Sequence, residues 1–383
     1  MGRNKSNFVD LCQGDFGRKT AYTGVAQITT ENVIQVLSDT IGTHNRNRMM
    51  INYLYRYYKG DQPILYREKL VRPEVNNRVV ENHALEVVKF KAGQIYGEPI
   101  QYVCKKKKAD KKINEQVDLL NDYLDEANAD ARNIQLGIYQ SAVGTAYKAI
   151  LREDDWTKDR DLPPFRIFIP YPGDVYIVYS RNTGKAMLSV QILKDEENQQ
   201  YYLCYSSNQY FKIKNGQVTV SGINGFGGIP IIEYPNNHDR LSDVEIAITA
   251  FDAINKYQSD RLNGVEQFVQ AFMKFKNCEV DENEFLKMVK LGAISVKDAG
   301  NGVQSDVDLM TAELNQSESQ VAKDDIYNNM LIVEAMPNRQ SNTGGDTGNA
   351  VYLRNGWDFA ERDAKLVEAF TKEAEKASVR IIL

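Results

Sequence analysis

The fold is decided by the stretch Ser242-Asp-Val-Glu-Ile-Ala-Ile-Thr-Ala-Phe-Asp-Ala-Ile-Asn-Lys-Tyr-Gln-Ser-Asp-Arg-Leu-Asn263. Its apolar and polar residues both recur at helical spacing, which predicts one amphipathic helix from Ser242 to about Phe272. At 1.5 Å per residue, such a helix is about 45 Å long. Ser242 is a suitable N-cap residue, and Glu245, three residues later, completes a capping box.

This helix has two different sides. The apolar stripe predicts packing against other helices and consists of Ile246, Ala250, Ile254, Tyr257, Leu262, Val265, Phe268 and Phe272. The polar stripe repeats at the same period and consists of Asp252, Lys256, Asp260, Asn263, Gln267 and Gln270. A long helix with both stripes is expected to pack on one side and face water on the other.

A small insert and two further helices follow. The insert spans about 273–310, with a short helix near Glu282–Val289 and a strand near Gly292–Lys297. A second helix resumes near Thr311 and stops at Met336-Pro337, because proline disfavours helical conformation in the residue before it. A polar, glycine-rich loop occupies 338–349, and a last long helix covers 350–383. Long helices around a small module indicate a ring-shaped conduit more than an enzyme pocket.

Upstream, the sequence predicts helices followed by a β module, so the fold class is α+β. Residues 1–28 are polar and contain glycine, and we expect an irregular or mobile arm there. From Ala146 to Tyr234, short β-prone runs alternate with turn residues such as Lys214-Asn-Gly216, which is typical of antiparallel hairpins. The predicted strands are Ala146–Arg152, Phe165–Ile169, Asp174–Tyr179, Ala186–Leu193, Tyr201–Tyr205, Gln209–Ile213, Gln217–Val220 and Ile229–Glu233.

Composition narrows the function classes. The 383 residues include 47 basic and 52 acidic side chains, giving a net charge of −5, whereas proteins that grip nucleic acid usually have a basic excess. Any DNA partner would therefore be touched locally or would slide past. No apolar run approaches the ~18 residues of a membrane span. Cys12, Cys104, Cys204 and Cys278 form no CxxC pair, which favours reduced structural thiols in a cytoplasmic setting.

Motifs for catalysis, cofactors or metals are not found in the sequence. In Gly14-Asp-Phe-Gly-Arg-Lys-Thr20, Arg18 separates the glycine from the lysine and no strand precedes it, so a phosphate-binding loop is not indicated. His83 and Glu86 have HxxE spacing but lack further ligands. Asp324-Asp325 is an acidic pair whose side chains point to different sides of a helix. We therefore expect no catalytic residues, no metal and no cofactor.

Four local motifs follow one another along the chain. The first is Tyr57-Tyr-Lys-Gly-Asp-Gln-Pro-Ile64, and the second runs from Asn82 to Gly97-Glu-Pro-Ile100. The third is Gly228-Ile-Pro-Ile-Ile-Glu-Tyr-Pro-Asn-Asn237, which precedes the long helix. The fourth lies in that helix, from Ser242-Asp-Val-Glu to Ser259-Asp-Arg-Leu-Asn263. In this order and spacing, the motifs resemble the portal proteins of tailed bacteriophages of the siphophage type, and the resemblance covers about residues 50–380.

The resemblance implies the domains of a portal subunit. After the arm, 29–241 would be the wing, 242–272 the first stem helix, 273–310 the clip and 311–337 the second stem helix. Residues 338–349 would be the tunnel loop, and 350–383 a long helix leading to the crown. The chain ends on Ile381-Ile382-Leu383 in mid-pattern, so we expect that the natural product continues, which an intact mass would decide.

The resemblance also implies a non-catalytic ring of about twelve subunits. That ring would lie at the capsid vertex of a virion assembled in the bacterial host cytoplasm, and it would pass double-stranded DNA without sequence specificity. Its partners would be the terminase motor, the major capsid and scaffolding proteins and the head-completion or tail adaptor, with no membrane. The alternatives left open are a nucleic-acid-processing enzyme with an unrecognised acidic metal site, and a non-catalytic scaffold or adaptor.

Candidate site residues follow from this assignment. Lys256 and Lys323 are candidate lumen-facing cations of the stem, although each could instead form an ion pair between subunits. Ile254 and Phe268 are candidate packing residues between subunits. The DNA-facing tunnel loop would comprise Asn338, Arg339, Gln340, Ser341, Asn342, Thr343, Gly344, Gly345, Asp346, Thr347 and Gly348.

Overall fold

The computed structural model describes residues 8, 14–70, 72–104, 111–153, 162–269, 272–276, 281, 283, 286–287, 306–310, 316–338, 352 and 355–383, with backbone only for 267–269, 272–276, 306–310 and 316. Helices and sheets are both present, which confirms the α+β class. The chain divides into two compact units. The first comprises Met1–Pro63, Asn82–Phe251 and Asn328–Leu383, and the second comprises Ile64–Glu81 and Asp252–Tyr327.

The strands of the first unit match the predicted β module closely. They are β1 (Ala21–Thr23), β2 (Thr145–Arg152), β3 (Phe165–Phe168), β4 (Val175–Ser180), β5 (Ala186–Lys194), β6 (Gln200–Tyr205), β7 (Gln209–Lys214), β8 (Gln217–Ile223) and β9 (Ile231–Pro235). One sheet has the order β1-β4-β5-β6-β7-β8, and the other has the order β3-β2-β9. All eight predicted strands are confirmed, and β1 is the strand that the sequence pattern missed.

Four helices of this unit precede the capping motif at Ser242: α1 (Val33–Tyr58), α2 (His83–Tyr96), α3 (Lys111–Glu126) and α4 (Ala129–Val143). The helical stretch 111–143 is divided in two, since α3 ends at Glu126 and α4 begins at Ala129. Asn128 adopts a left-handed conformation with φ of 54°, which asparagine tolerates better than most residues, so the chain breaks between α3 and α4.

Each sheet of the first unit has its own apolar core. The face of α1 that carries Val33, Val36 and Leu37 packs against the six-stranded sheet, where Val178 and Phe211 are fully buried. The three-stranded sheet packs against α2, α3, α4 and the final helix α7 (Trp357–Ile382), and its core includes Leu136, Ala146, Ile150, Tyr234 and Ala374.

The described part of the N-terminal arm is built into the fold, so the expectation of a mobile arm through residue 28 is wrong. β1 pairs in parallel with β4, with Ala21 opposite Val178. Arg18 and Ile28 are buried. Phe8 is also buried, and its ring centroid lies 5.4 Å from that of Tyr53. The polar composition of the arm does not reveal these contacts, because they are made with other parts of the chain.

The second unit contains a two-stranded antiparallel sheet, β10 (Phe272–Lys276) and β11 (Asp306–Met310). Helix α5 (Asp243–Val269) precedes it along the chain and α6 (Gln316–Val333) follows it. The prediction that the first long helix extends to Phe272 is therefore wrong. Residues 273–276 alternate apolar and basic residues, which is a strand pattern, and the register places Lys274 opposite Asp308 and Lys276 opposite Asp306. The predicted strand near Gly292–Lys297 lies outside the described residues.

Among the described helices, none combines the length and the hydropathy needed to cross a membrane.

Candidate functional site

Helix α5 begins at the predicted capping box. The Ser242 hydroxyl accepts a hydrogen bond from the Val244 N–H at 3.0 Å, and Glu245 Oε2 accepts one from the Ser242 N–H at 3.1 Å. The Ser242 hydroxyl also donates to the Ala142 carbonyl at 2.8 Å, at the end of α4. The cap therefore provides hydrogen-bond partners for backbone N–H groups at the start of α5, and it joins the start of α5 to the end of α4.

Glu245 has a second role that the sequence did not show. Its carboxylate accepts two hydrogen bonds from Arg18 Nη2, at 2.9 and 2.8 Å, and one from the Gly17 N–H at 2.7 Å. Both side chains of the Arg18–Glu245 ion pair are essentially fully buried. A buried carboxylate needs such partners, so the N-terminal segment completes the start of α5.

Within the second unit, α5 carries a row of buried polar side chains at four-residue spacing. Asn255 Oδ1 accepts a hydrogen bond from the Glu81 N–H at 2.9 Å, Ser259 Oγ from the Val79 N–H at 3.0 Å, and Asn263 Oδ1 from the Asn77 N–H at 2.7 Å. We call Asn255, Ser259 and Asn263 the polar ladder.

The spacing of the polar ladder side chains along the helix is similar to the spacing of alternate N–H groups along the extended chain that faces it. Four residues of helix rise about 6.0 Å, and two residues of extended chain span about 6.6 Å. Alternate N–H groups of residues 77–81 can therefore each meet one ladder side chain. The spacing Asn-x-x-x-Ser-x-x-x-Asn was readable in the sequence, but the helical pattern alone could not show its partner.

Two charged contacts extend this arrangement. Lys323 on α6 donates from Nζ to Glu81 Oε1 at 2.5 Å and to Gln258 Oε1 at 3.0 Å. Arg67 Nη2 donates to Asp260 Oδ1 at 2.5 Å. The prediction of Lys323 as a lumen-facing cation is therefore wrong for this conformation, because a carboxylate of its own chain already neutralises its charge.

The other predicted site residues have different outcomes. Lys256 is exposed, and within the described part of the chain it forms no ion pair. Ile254 has no exposed surface, so the prediction that it packs against a neighbouring subunit is wrong. The Phe268 side chain lies outside the described residues, although its backbone belongs to α5.

The two predicted stripes of α5 are partly exchanged. Polar Asn263, expected to face water, is buried, whereas apolar Tyr257, Leu262 and Val265 are 37%, 40% and 50% exposed. On α6, Val321 is 68% exposed. The reason lies in a distant part of the chain, since residues 77–81 cover the ladder side of α5 and these apolar side chains stay in solvent within the single chain.

The predicted loop begins at a defined base. Asn338 is half-buried, its N–H donates to the Asn355 carbonyl at 3.0 Å, and its Nδ2 donates to Asn328 Oδ1 at 3.0 Å. The remaining predicted loop residues, 339–348, lie outside the described residues. Their role as a DNA-facing loop stays a prediction.

Comparisons with known proteins show the family to which this chain belongs. A family model described as "Phage portal protein, SPP1 Gp6-like" matches residues 37–382. The chain belongs to the phage portal protein family. That match includes the whole of α5, α6 and α7, and it confirms the resemblance seen in the four sequence motifs.

A curated relative within the portal protein family is the portal protein of Bacillus phage SPP1. It is 23% identical to this chain over 329 residues, which cover 77% of this chain and 60% of the relative. A similar solved chain comes from the neck of a native GTA particle computed with C12 symmetry, with 12% identity, a TM-score of 0.42 and coverage of 71% of this chain and 72% of that one. At that TM-score the likeness supports no structural argument.

Proposed function

We propose that this portal family member forms a homo-oligomeric ring at a capsid vertex of a phage particle, through which double-stranded DNA enters during packaging and leaves during ejection. The observation that carries this proposal is the family match over residues 37–382. About twelve subunits, the number that the resemblance to the portal family implies, is the ring size we propose.

The exposed apolar side chains support assembly. Tyr257, Leu262 and Val265 on α5 and Val321 on α6 all lie more than a third exposed in the single chain. Contiguous exposed apolar surface usually marks an interaction site. A closed ring requires that two different surfaces of each subunit meet, and these side chains are suited to one of those surfaces.

The charge distribution supports a passage for DNA rather than a grip on it. Phosphate contacts give salt-dependent affinity that would slow a moving duplex. The net charge is −5, and Lys323 and Arg67 in the second unit are neutralised by Glu81 and Asp260. We propose Lys256 as the lumen-facing cation of α5, with Arg339 of the loop as a second.

The domain assignment belongs to the same proposal. We assign 29–241 to the wing, 242–272 and 311–337 to the stem, 273–310 to the clip, 338–349 to the tunnel loop and 350–383 to the helix leading to the crown. The clip would meet the terminase motor and later the tail adaptor, while the wing would meet capsid and scaffolding proteins. Assembly would take place in the host cytoplasm.

The enzyme alternative gains no support from the described residues, since they contain no group of three or more histidine, cysteine, aspartate or glutamate side chains placed to hold a metal ion. A non-viral scaffold or adaptor would also expose apolar helix surfaces, but the portal family match makes it the weaker reading. Metal-dependent cleavage of DNA by the purified protein would revive the enzyme.

A loop experiment tests the conduit. Deleting Gly344–Gly348 should leave ring assembly intact and reduce DNA filling or retention in a packaging assay. A matched control replaces the same residues with an equally long serine-asparagine stretch, and we expect it to package normally. A deletion variant that packages and retains DNA like the wild type would contradict the tunnel-loop assignment.

A further inference from the structure

Hydrogen bonds join the residues at the end of α6 to the residue just before α7, and we call this joined region the loop base. At the end of α6, Ala335 takes a left-handed conformation with φ of 49°, and the Met336 N–H bonds to the Leu331 carbonyl at 2.8 Å. The Asn338 N–H then reaches the Asn355 carbonyl, just before α7 starts. The turn that holds this base contains Glu334.

Glu334 is buried beside other charged groups. It is only 2% exposed, and no described residue forms a hydrogen bond with its Oε1 atom. The charged groups that act on it are Lys91 on α2, Asp243 at the start of α5 and Asp363 on α7. Lys91 Nζ is already paired with Asp363 Oδ2 at 2.5 Å. Three carboxyl groups therefore share one ammonium group.

The protonation states follow from this imbalance. Asp243 accepts hydrogen bonds from Ser141 Oγ at 2.5 Å and from Asn236 Nδ2 at 2.8 Å, which favour its charged form, although burial raises its pKa. Glu334 Oε1 has no comparable donor in the part of the chain that the structure describes. Burial and the neighbouring carboxylates raise the pKa of Glu334 well above its usual range, with Lys91 opposing the shift. An unpaired buried carboxylate would be costly, so the protonated form is the one that this packing accommodates.

We propose that Glu334 is a proton-operated latch on the end of α6 and on the hydrogen bond that joins Asn338 to Asn355. While it is protonated, the end of α6 stays packed beside Lys91, Asp243 and Asp363, and the Asn338–Asn355 bond holds the loop base closed. When it loses its proton, the new charge drives the α6 end out of the core and frees the loop base. The latch is a property of the single chain, and its test does not depend on the proposed function.

The latch can be measured without a ring or DNA. Hydrogen exchange of Met336 and Asn338 amides, corrected for the intrinsic pH dependence, reports opening of the base. Emission of Trp357 reports the same region, since its ring centroid lies 6.2 Å from that of Phe90. The chain has two tryptophans, so a W156F background leaves Trp357 as the only one.

We expect the opening constant in the wild type to rise as pH rises, by up to about tenfold per pH unit between the pKa values of the open and closed states. E334Q cannot ionise and should stay closed, with a flat profile. K91M removes the group that lowers the Glu334 pKa in the closed state, so the rise of the opening constant should continue to higher pH than in the wild type. E373Q, at an exposed glutamate of α7, is the matched control and should behave like the wild type.

Two results would overturn the latch. In the first, E334Q and the wild type show the same pH profile. In the second, E334Q opens the base at every pH, which would mean that the carboxylate is needed in its charged form. Failure of ring assembly in any variant would bear on the proposed function and not on this comparison, because exchange is read on unassembled chains.

Discussion

Neutralising Glu245 tests how the N-terminal segment secures the long helix α5. The E245Q substitution keeps a side chain that can still cap the helix, because glutamine is accepted at this position of a capping box. It removes the carboxylate charge that contacts buried Arg18 Nη2 at 2.8 Å. Removing one partner of a buried ion pair usually costs about 3–5 kcal/mol. We expect E245Q to lose an amount in this range.

The mechanism makes a sharper claim about the double variant. R18M/E245Q removes both charges, and replacing both partners of a buried pair is often close to neutral. The double variant should therefore be more stable than E245Q alone by at least about 2 kcal/mol, because it also removes the buried guanidinium that E245Q deprives of the Glu245 carboxylate. Urea denaturation followed by far-UV circular dichroism gives each free energy of unfolding.

The matched control is the exposed ion pair Lys19–Asp15, whose side chains are about half exposed. D15N should change the free energy of unfolding by less than about 1 kcal/mol. The reasoning is refuted if E245Q unfolds within about 1 kcal/mol of the wild type, or if the double variant is no more stable than E245Q.

Three further predictions concern other contacts. S259A removes the buried acceptor of the Val79 N–H and should lower the free energy of unfolding by about 1–3 kcal/mol. S259T keeps the hydroxyl and should retain most of the wild-type free energy of unfolding. Equal urea denaturation curves for S259A and the wild type would contradict the stabilising role of the polar ladder. Burial lowers the pKa of His44 to about 4 from 6.5, so the unfolded chain binds the proton more readily and the wild type should lose about 3 kcal/mol as pH falls from 6.5 toward 4. H44F should lack this pH-dependent loss in denaturation at the same pH values. G17A should be destabilised, because φ is +79° and the new methyl carbon would lie 2.3 Å from the Asp239 carbonyl oxygen; an unchanged melting temperature would refute this.

Features with local causes could be predicted from the sequence. The capping box needs only Ser242 and Glu245, and it is present as predicted. The turn at Asn215-Gly216 requires two residues with positive φ, and both have it, at 52° and 73°. The alternation of residue types within a strand and the effect of a proline on a helix end also act over a few residues. The sequence therefore predicted the β module and the order of the long helices.

Features that depend on distant parts of the chain could not be predicted. β1 has three residues and exists because β4 offers an edge, which no property of Ala21–Thr23 announces. The polar ladder is buried only because residues 77–81 lie against it, so helical periodicity assigned Asn263 to the wrong environment. Lys323 reads as a free cation in sequence, and its partner Glu81 is far away in the chain.

The most direct test of the portal proposal is the mass and shape of the assembled protein in solution, by native mass spectrometry combined with negative-stain imaging. The proposal predicts annular particles of about twelve subunits, with a central hole wide enough for duplex DNA. A compact dimer or tetramer without a central hole, persisting at high protein concentration and in the presence of scaffolding protein, would contradict it.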